Sequence, residues 1–117
     1  MGDFRRLLVY QRAVSLGDDL CEQVGTWNSF DRWTTGTQLV RAADSVAANI
    51  AEAFGRAGKR DERRLLYIAR GSALETEHWV ERALARSLLT DGNFGARARE
   101  LSRLLNGLIN RHLATGD

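Results

Sequence analysis

Residues 45–56 read SVAANIAEAFGR. Val46, Ile50 and Phe54 recur at spacings of four, which in a helix stacks them on one side. Ser45, Asn49, Glu52 and Arg56 form a second line beside them, again at spacings of three and four. A half-buried strand would alternate between apolar and polar residues, and this run does not. The segment therefore reads as a helix with an apolar stripe and an adjacent polar line. Such a line can be a solvated face, a network that fixes packing, or a binding surface.

The same period extends outward. Residues 34–54 place Leu39, Ala43, Val46, Ile50 and Phe54 on one face, with Thr34 or Thr35 as a candidate cap. Upstream, residues 5–25 carry an apolar stripe of Val9, Ala13, Leu16, Leu20 and Val24, and Gly25 suits its end. The connection TWNSFDRW is aromatic for a loop, so Trp27, Phe30 and Trp33 are expected to fold back over the bundle's end.

Downstream, GRAGK supplies two glycines that can end a helix and turn the chain. Asp61 is a candidate cap for a third helix reaching about Leu89, with a core line of Leu65, Ile68, Ala69, Ser72, Thr76, Trp79 and Ala83. After the turn TDGNFG, a last helix carries Leu101, Leu104, Leu105, Leu108 and Leu113. The chain contains no proline, which permits long uninterrupted helices. No strand pattern competes. With short connections, the expected fold is all-α: one domain, residues 1–117, an antiparallel up-down-up-down four-helix bundle.

Apolar residues exceed one stripe per helix. Helix one has a second set in Leu7, Tyr10, Val14 and Cys21, and helix three adds Leu66, Tyr67, Ala73, Leu74 and Val80. A small monomeric bundle needs one buried face per helix. The surplus predicts a homo-oligomer burying helices one and three a second time, unless the core face is simply broad.

At 117 residues, 44% hydrophobic and 27% charged, the chain fits one ordinary folded domain rather than a disordered segment. The formal charge of +2 is too small to announce a nucleic-acid binder. Its cations are nearly all guanidinium, since Lys59 is the single lysine, and guanidinium grips phosphate or carboxylate with paired hydrogen bonds. Cys21 is the sole cysteine, which excludes an intramolecular disulfide and a cysteine-rich zinc site. The N-terminal run has no stretch apolar enough for a signal peptide or membrane span. Gly2 lacks the Ser or Thr that myristoylation expects at position 6, where Arg6 stands. The expected compartment is the cytoplasm.

Arg56, Lys59, Arg60, Arg63 and Arg64 cluster where the third helix begins, and the helix's positive end adds to their field. Asp61 and Glu62 partly neutralise them. Arg99 and Arg103 share a face of helix four. These seven residues are the candidate phosphate contacts, a solvated surface being the plainer reading of the same charges. GRAGKR lacks the glycine spacing, the hydroxyl after lysine and the preceding strand of a phosphate loop. For the polar line, the expectation is a structural network of Ser45, Asn49 and Glu52 with Ser72 and Glu75 across helices two and three.

Glu75-x-x-His78 is half of a di-iron motif, but no second copy exists: His112 has Ile109 three positions before it. No nucleophile is paired with a base, so no catalytic residue, metal or cofactor is assigned.

FRRLLVYQRAVSL, QLVRAADSVAANIAEAFGR and LLYIARGSALETE occur in that order. With them the chain resembles a family of small bacterial four-helix-bundle proteins encoded by intervening sequences in large-subunit ribosomal RNA genes. A related branch includes the accessory variability protein of diversity-generating retroelements. The family's central pattern is matched by Ser45, Asn49, Ile50, Ala51, Glu52, Gly55 and Arg56, with Ala53 in place of its usual glycine. Ile68, Ala69, Gly71, Ser72 and Glu75 also fit. The resemblance implies a homopentameric ring and, from the retroelement branch, binding to nucleic acid and a reverse transcriptase.

The expected function is thus a non-enzymatic oligomeric adaptor binding nucleic-acid backbone, a nucleic-acid enzyme such as a reverse transcriptase, or both. The alternative is a protein–protein scaffold that binds no nucleic acid. A carboxylate/histidine metal-binding bundle is a remote third.

Overall fold

In the computed structural model, residues 3–56, 58–90 and 93–114 are described. Gly2, Ala57 of the GRAGK connection, and Asp91 and Gly92 of the expected TDGNFG turn lie outside them. A 3-10 turn, Phe4–Arg6, capped by the Asp3 carboxylate, leads into helix α1, Leu8–Gly25. Helix α2 spans Thr37–Phe54, α3 Lys59–Ala85 and α4 Asn93–Ala114. Among the described residues there are four long helices and no strand.

Each helix packs on its neighbours in sequence, and α1 also packs on α4, which closes a bundle 48 Å long and about 20 Å across. Its main core draws Val9, Leu16 and Leu20 from α1, Leu39, Val46 and Ile50 from α2, Ala69, Ala73 and Val80 from α3, and Leu101 and Leu105 from α4. A second cluster of Ala53, Leu65, Leu66 and Ile109 closes the end where α3 begins.

The stripe expected for α1 is buried throughout. The α3 line needs correction. Leu66, Ala73 and Val80, assigned to a second seam, are in the core, whereas Ile68 is 43% exposed. A helix wedged between two neighbours buries a wide arc, so α3 needs more than one narrow stripe for its own subunit. What it leaves outside is Tyr67, Ile68 and Leu74.

Helix starts also differ from the sequence expectation. Asn28 caps a short helical turn, Ser29–Asp31, by accepting from the Asp31 amide at 3.0 Å. A π-helical turn, Arg32–Gly36, then runs directly into α2, so neither Thr34 nor Thr35 caps it. Thr35 is instead buried and accepts a 2.7 Å hydrogen bond from Arg86 Nη1 at the far end of α3. At the start of α3 the cap is Gly58, with no side-chain bond, and Asp61 lies inside the first turn. The chain leaves α3 through Ser87, whose φ of 60° is left-handed, allowing the Leu88 amide to reach the Ala83 carbonyl at 2.8 Å.

Replacing Thr35 by valine keeps the shape and removes the acceptor. Because Arg86 is exposed and can hydrate, the expected loss is about 1 kcal/mol, read as a lower urea midpoint at unchanged slope. An unchanged midpoint would mean that Arg86 does not hold the π turn.

Candidate nucleic-acid interface

Arginine spacing and a sharp helix start together build the site. Arg56 follows the end of α2, and Arg60 and Arg64 are one turn apart on the exposed side of α3. With Gly58 and Asp61 they line one open hollow. Asp61 sits between the arginines: its Oδ1 is 3.2 Å from Arg64 Nε and its Oδ2 3.8 Å from Arg56 Nη1. Arg56 Nη2 also donates to Glu52, one turn back on α2. That hydrogen bond, then the charges of Glu52 and Asp61, raise the Arg56 pKa above its ordinary value. Arg60 makes no ion pair among the described residues and is exposed.

The hollow thus holds three guanidiniums against one lining carboxylate. Gly58 offers no side chain to the first-turn amides of α3, and the helix dipole adds positive potential there. Such a surface can hold a phosphate or another anion.

The other basic candidates divide. Lys59 lines a separate apolar cavity of about 170 Å³ with Phe54, Leu66, Leu108 and Arg111. Glu62 and His112 also line it, their side chains almost buried and joined at 3.0 Å. Arg63 is half-buried. Arg103 lies nine residues before His112, so it stands about 14 Å along the bundle from the level of Glu62. Arg99 is a further turn away and packs over Gly95, 3.3 Å from where a Cβ would be. The structure brings Arg56, Arg60 and Arg64 together and leaves Arg99 and Arg103 apart from them.

Among the described residues, no hydrogen bond joins Ser45, Asn49 or Glu52 to Ser72 or Glu75 across the helices, as the expected network would require. Ser45 Oγ donates to the Arg41 carbonyl and Asn49 Nδ2 to the Ser45 carbonyl, both at 2.8 Å and both along α2. Glu52 pairs with Arg56, while Glu75 accepts from Trp79 Nε1 at 3.4 Å on its own helix. The Ser72 backbone carbonyl accepts from Thr76. Ser45, Asn49, Glu52 and Glu75 thus find these partners on or beside their own helix, at the margin of the core or outside it.

The sequence reading missed the aromatic end. Trp27 does fold in, at 8% exposed, but Phe30 and Trp33 stand 74% and 71% exposed. Their signal was present in FDRW, an aromatic pair three apart like residues on one helix face. Among the described residues, no group of three or more His, Cys, Asp and Glu comes together as a metal site, and no helix is long and apolar enough to cross a membrane.

Comparison with known proteins follows the same lines. Residues 5–110 match the family model for the 23S rRNA-intervening sequence protein. A crystal structure of a protein with unknown function from the S23 ribosomal protein family of Bacteroides thetaiotaomicron is similar, with a TM-score of 0.79 and 24% identity. The match covers 87% of this chain and 98% of that one, and at this identity it speaks for the fold. No curated protein matches.

Proposed function

Because this chain belongs to the 23S rRNA-intervening sequence protein family, we propose that it is a non-enzymatic adaptor that assembles with its own copies and holds nucleic-acid phosphates. The observation that carries this reading is the hollow of Arg56, Arg60 and Arg64 at the unencumbered start of α3. Phosphate contacts of this kind position a nucleic acid without reading its sequence.

Side-chain pairs support an up-down-up-down order. Gly17 approaches Asp44 and Gly36 approaches Val24, while Glu62, Arg70 and Glu77 meet His112, Asn106 and Ser102. In each set, numbers rise on one helix as they fall on the other. Assembly is supported by the exposed Tyr67, Ile68 and Leu74 around Gly71, where an added Cβ would meet nothing. Exposed glycine inside a helix costs about 1 kcal/mol relative to alanine, and close approach of another helix gives it a use. A ring of five, a reverse transcriptase as partner and bacterial origin complete the proposal by resemblance, and a cytoplasmic setting follows from the reading of the N-terminal run. Around a ring, each hollow would be repeated and its field multiplied.

A second reading, a scaffold binding only protein, is favoured by Asp61, which draws on two of the three arginines. Mobility shifts across a salt series separate the two. Displaced counterions should weaken nucleic-acid binding as salt rises. Replacing Arg56, Arg60 and Arg64 together by alanine should flatten the slope of log K against log salt by about 2–3 units. An unchanged slope removes these arginines from the interface. Absence of any shift with the parent protein favours the scaffold.

A further inference from the structure

The opposite end of the molecule holds a different surface. Trp33, 71% exposed, borders an open socket of about 420 Å³, within the ~300–1,000 Å³ range of ligand clefts. Buried Val24 and Gly36 and half-buried Val40 give it an apolar lining, and Arg32 and Arg41 stand exposed around it. Among the described residues, no carboxylate lines it. Arg32 donates to the Trp27 carbonyl at 3.3 Å, and Arg41 makes no ion pair among the described residues. The nearest acids in sequence are engaged elsewhere: Asp31 accepts from Asn28 at 2.7 Å, and Asp44 leans over Gly17 of α1. Among the described residues, two guanidiniums without an ion-pair partner thus flank a solvent-facing indole.

We infer that this socket takes an unpaired nucleotide of a single-stranded nucleic acid, its base stacked on Trp33 and its phosphates held by Arg32 and Arg41. The chemistry is matched on both counts. A base presents a flat apolar face that stacks on indole, and its phosphates carry the charge the two arginines lack. A purely apolar partner would bury both guanidiniums without compensation, which is costly. A duplex keeps its base faces stacked inside and cannot offer one to the indole. The socket is separate from the hollow at the start of α3. Trp33 and Arg56 are 23 residues apart along one nearly continuous helix, about 35 Å. A single strand engaging both ends would lie along the bundle.

The inference rests on the nucleic-acid reading above, and one set of titrations tells their failures apart. The full chain is titrated with labelled oligouridylate of about 12 nucleotides, within the site sizes of single-strand binders, and with duplex RNA of the same length. Trp33→Ala should weaken binding to the single strand at least about fivefold while leaving the duplex unchanged. Trp33→Phe should retain most of the affinity, since its ring still stacks. Because Trp33 is exposed, both variants should melt close to the parent protein. Equal single-strand affinity of Trp33→Ala and parent would overturn the socket but spare phosphate binding at the α3 start. A Trp33→Ala protein that loses its oligomeric state at unchanged single-strand affinity would also overturn it, assigning the aromatic end to contacts between copies. If the parent binds neither RNA, the proposed function fails and the inference with it.

Discussion

Gly36→Val is expected to lower stability by about 3 kcal/mol, seen as a drop of roughly 10–15 °C in Tm at fixed protein concentration. The cause is the close approach of the π turn to α1. A Cβ on residue 36 would lie 2.6 Å from Val24 Cγ1 and 3.2 Å from the Asp31 carbonyl oxygen, with the Trp27 ring at 3.5 Å. Val24 and Trp27 are both buried, and the Asp31 oxygen is backbone, so no flexible side-chain end can swing clear. Overpacking a core position costs about 1–3 kcal/mol, and a branched side chain here falls at the upper end. Relief from removing a helical glycine, at most ~1 kcal/mol, offsets only part of it. Gly36→Ala therefore gives a smaller loss, about 1–2 kcal/mol. A Gly36→Val protein that melts with the parent would show that the π turn can move away from α1. Trp33 and the socket above Gly36 would then be less fixed than their packing implies.

That turn also marks where the sequence was legible and where it was not. The stripe of α1 could be read residue by residue because each of its members, Val9 through Val24, faces the same core. Helix α3 misled because periodicity marks a face but not its width, and Leu66, Ala73 and Val80 are buried as fully as the line beside them. The start of α2 misled for a different reason. Thr34 and Thr35 look like caps, but a π turn adds one residue and lets the helix continue backward to Asn28. Local propensity does not announce that extra residue, and one of the turn's contacts, from Arg86 to Thr35, comes from fifty-one positions away. The candidate site was half legible. Arginines at one helix start are visible in the sequence, but the placing of Asp61 between Arg56 and Arg64 is not. The polar line of α2 was seen correctly as a line and wrongly as a network, because spacing gives the face of a residue and not its partner.

The outward position of that line bears on the second large expectation: Gly71→Arg should reduce the protein to single subunits. The Thr35–Arg86 bond at one end and the Ala53–Leu65 contact at the other set α2 against α3. That register brings Asn49 level with Gly71, and Ser45 level with Glu75. The surface there combines exposed Ala48 and half-buried Asn49 with exposed Ile68, Gly71 and Leu74, small residues beside larger apolar ones. Such a surface admits a close helix from another copy, since helices approach closely only where side chains are small. An arginine at position 71 would push that helix away and place a charge among apolar groups. Within its own subunit the same change should do no harm, because a Cβ there meets nothing within 4 Å. Replacing an exposed helical glycine by arginine should even raise subunit stability by about 0.5–1 kcal/mol. The two effects have opposite signs, and that opposition is the signature. Light scattering at micromolar concentration should give a multiple of 13.1 kDa for the parent and 13.1 kDa for the variant. Urea unfolding at a concentration low enough to dissociate the parent should show the variant as the more stable subunit. A parent that is already a single subunit, or a variant that assembles unchanged, would leave Tyr67, Ile68 and Leu74 as a solvated face and remove the basis for placing copies against it.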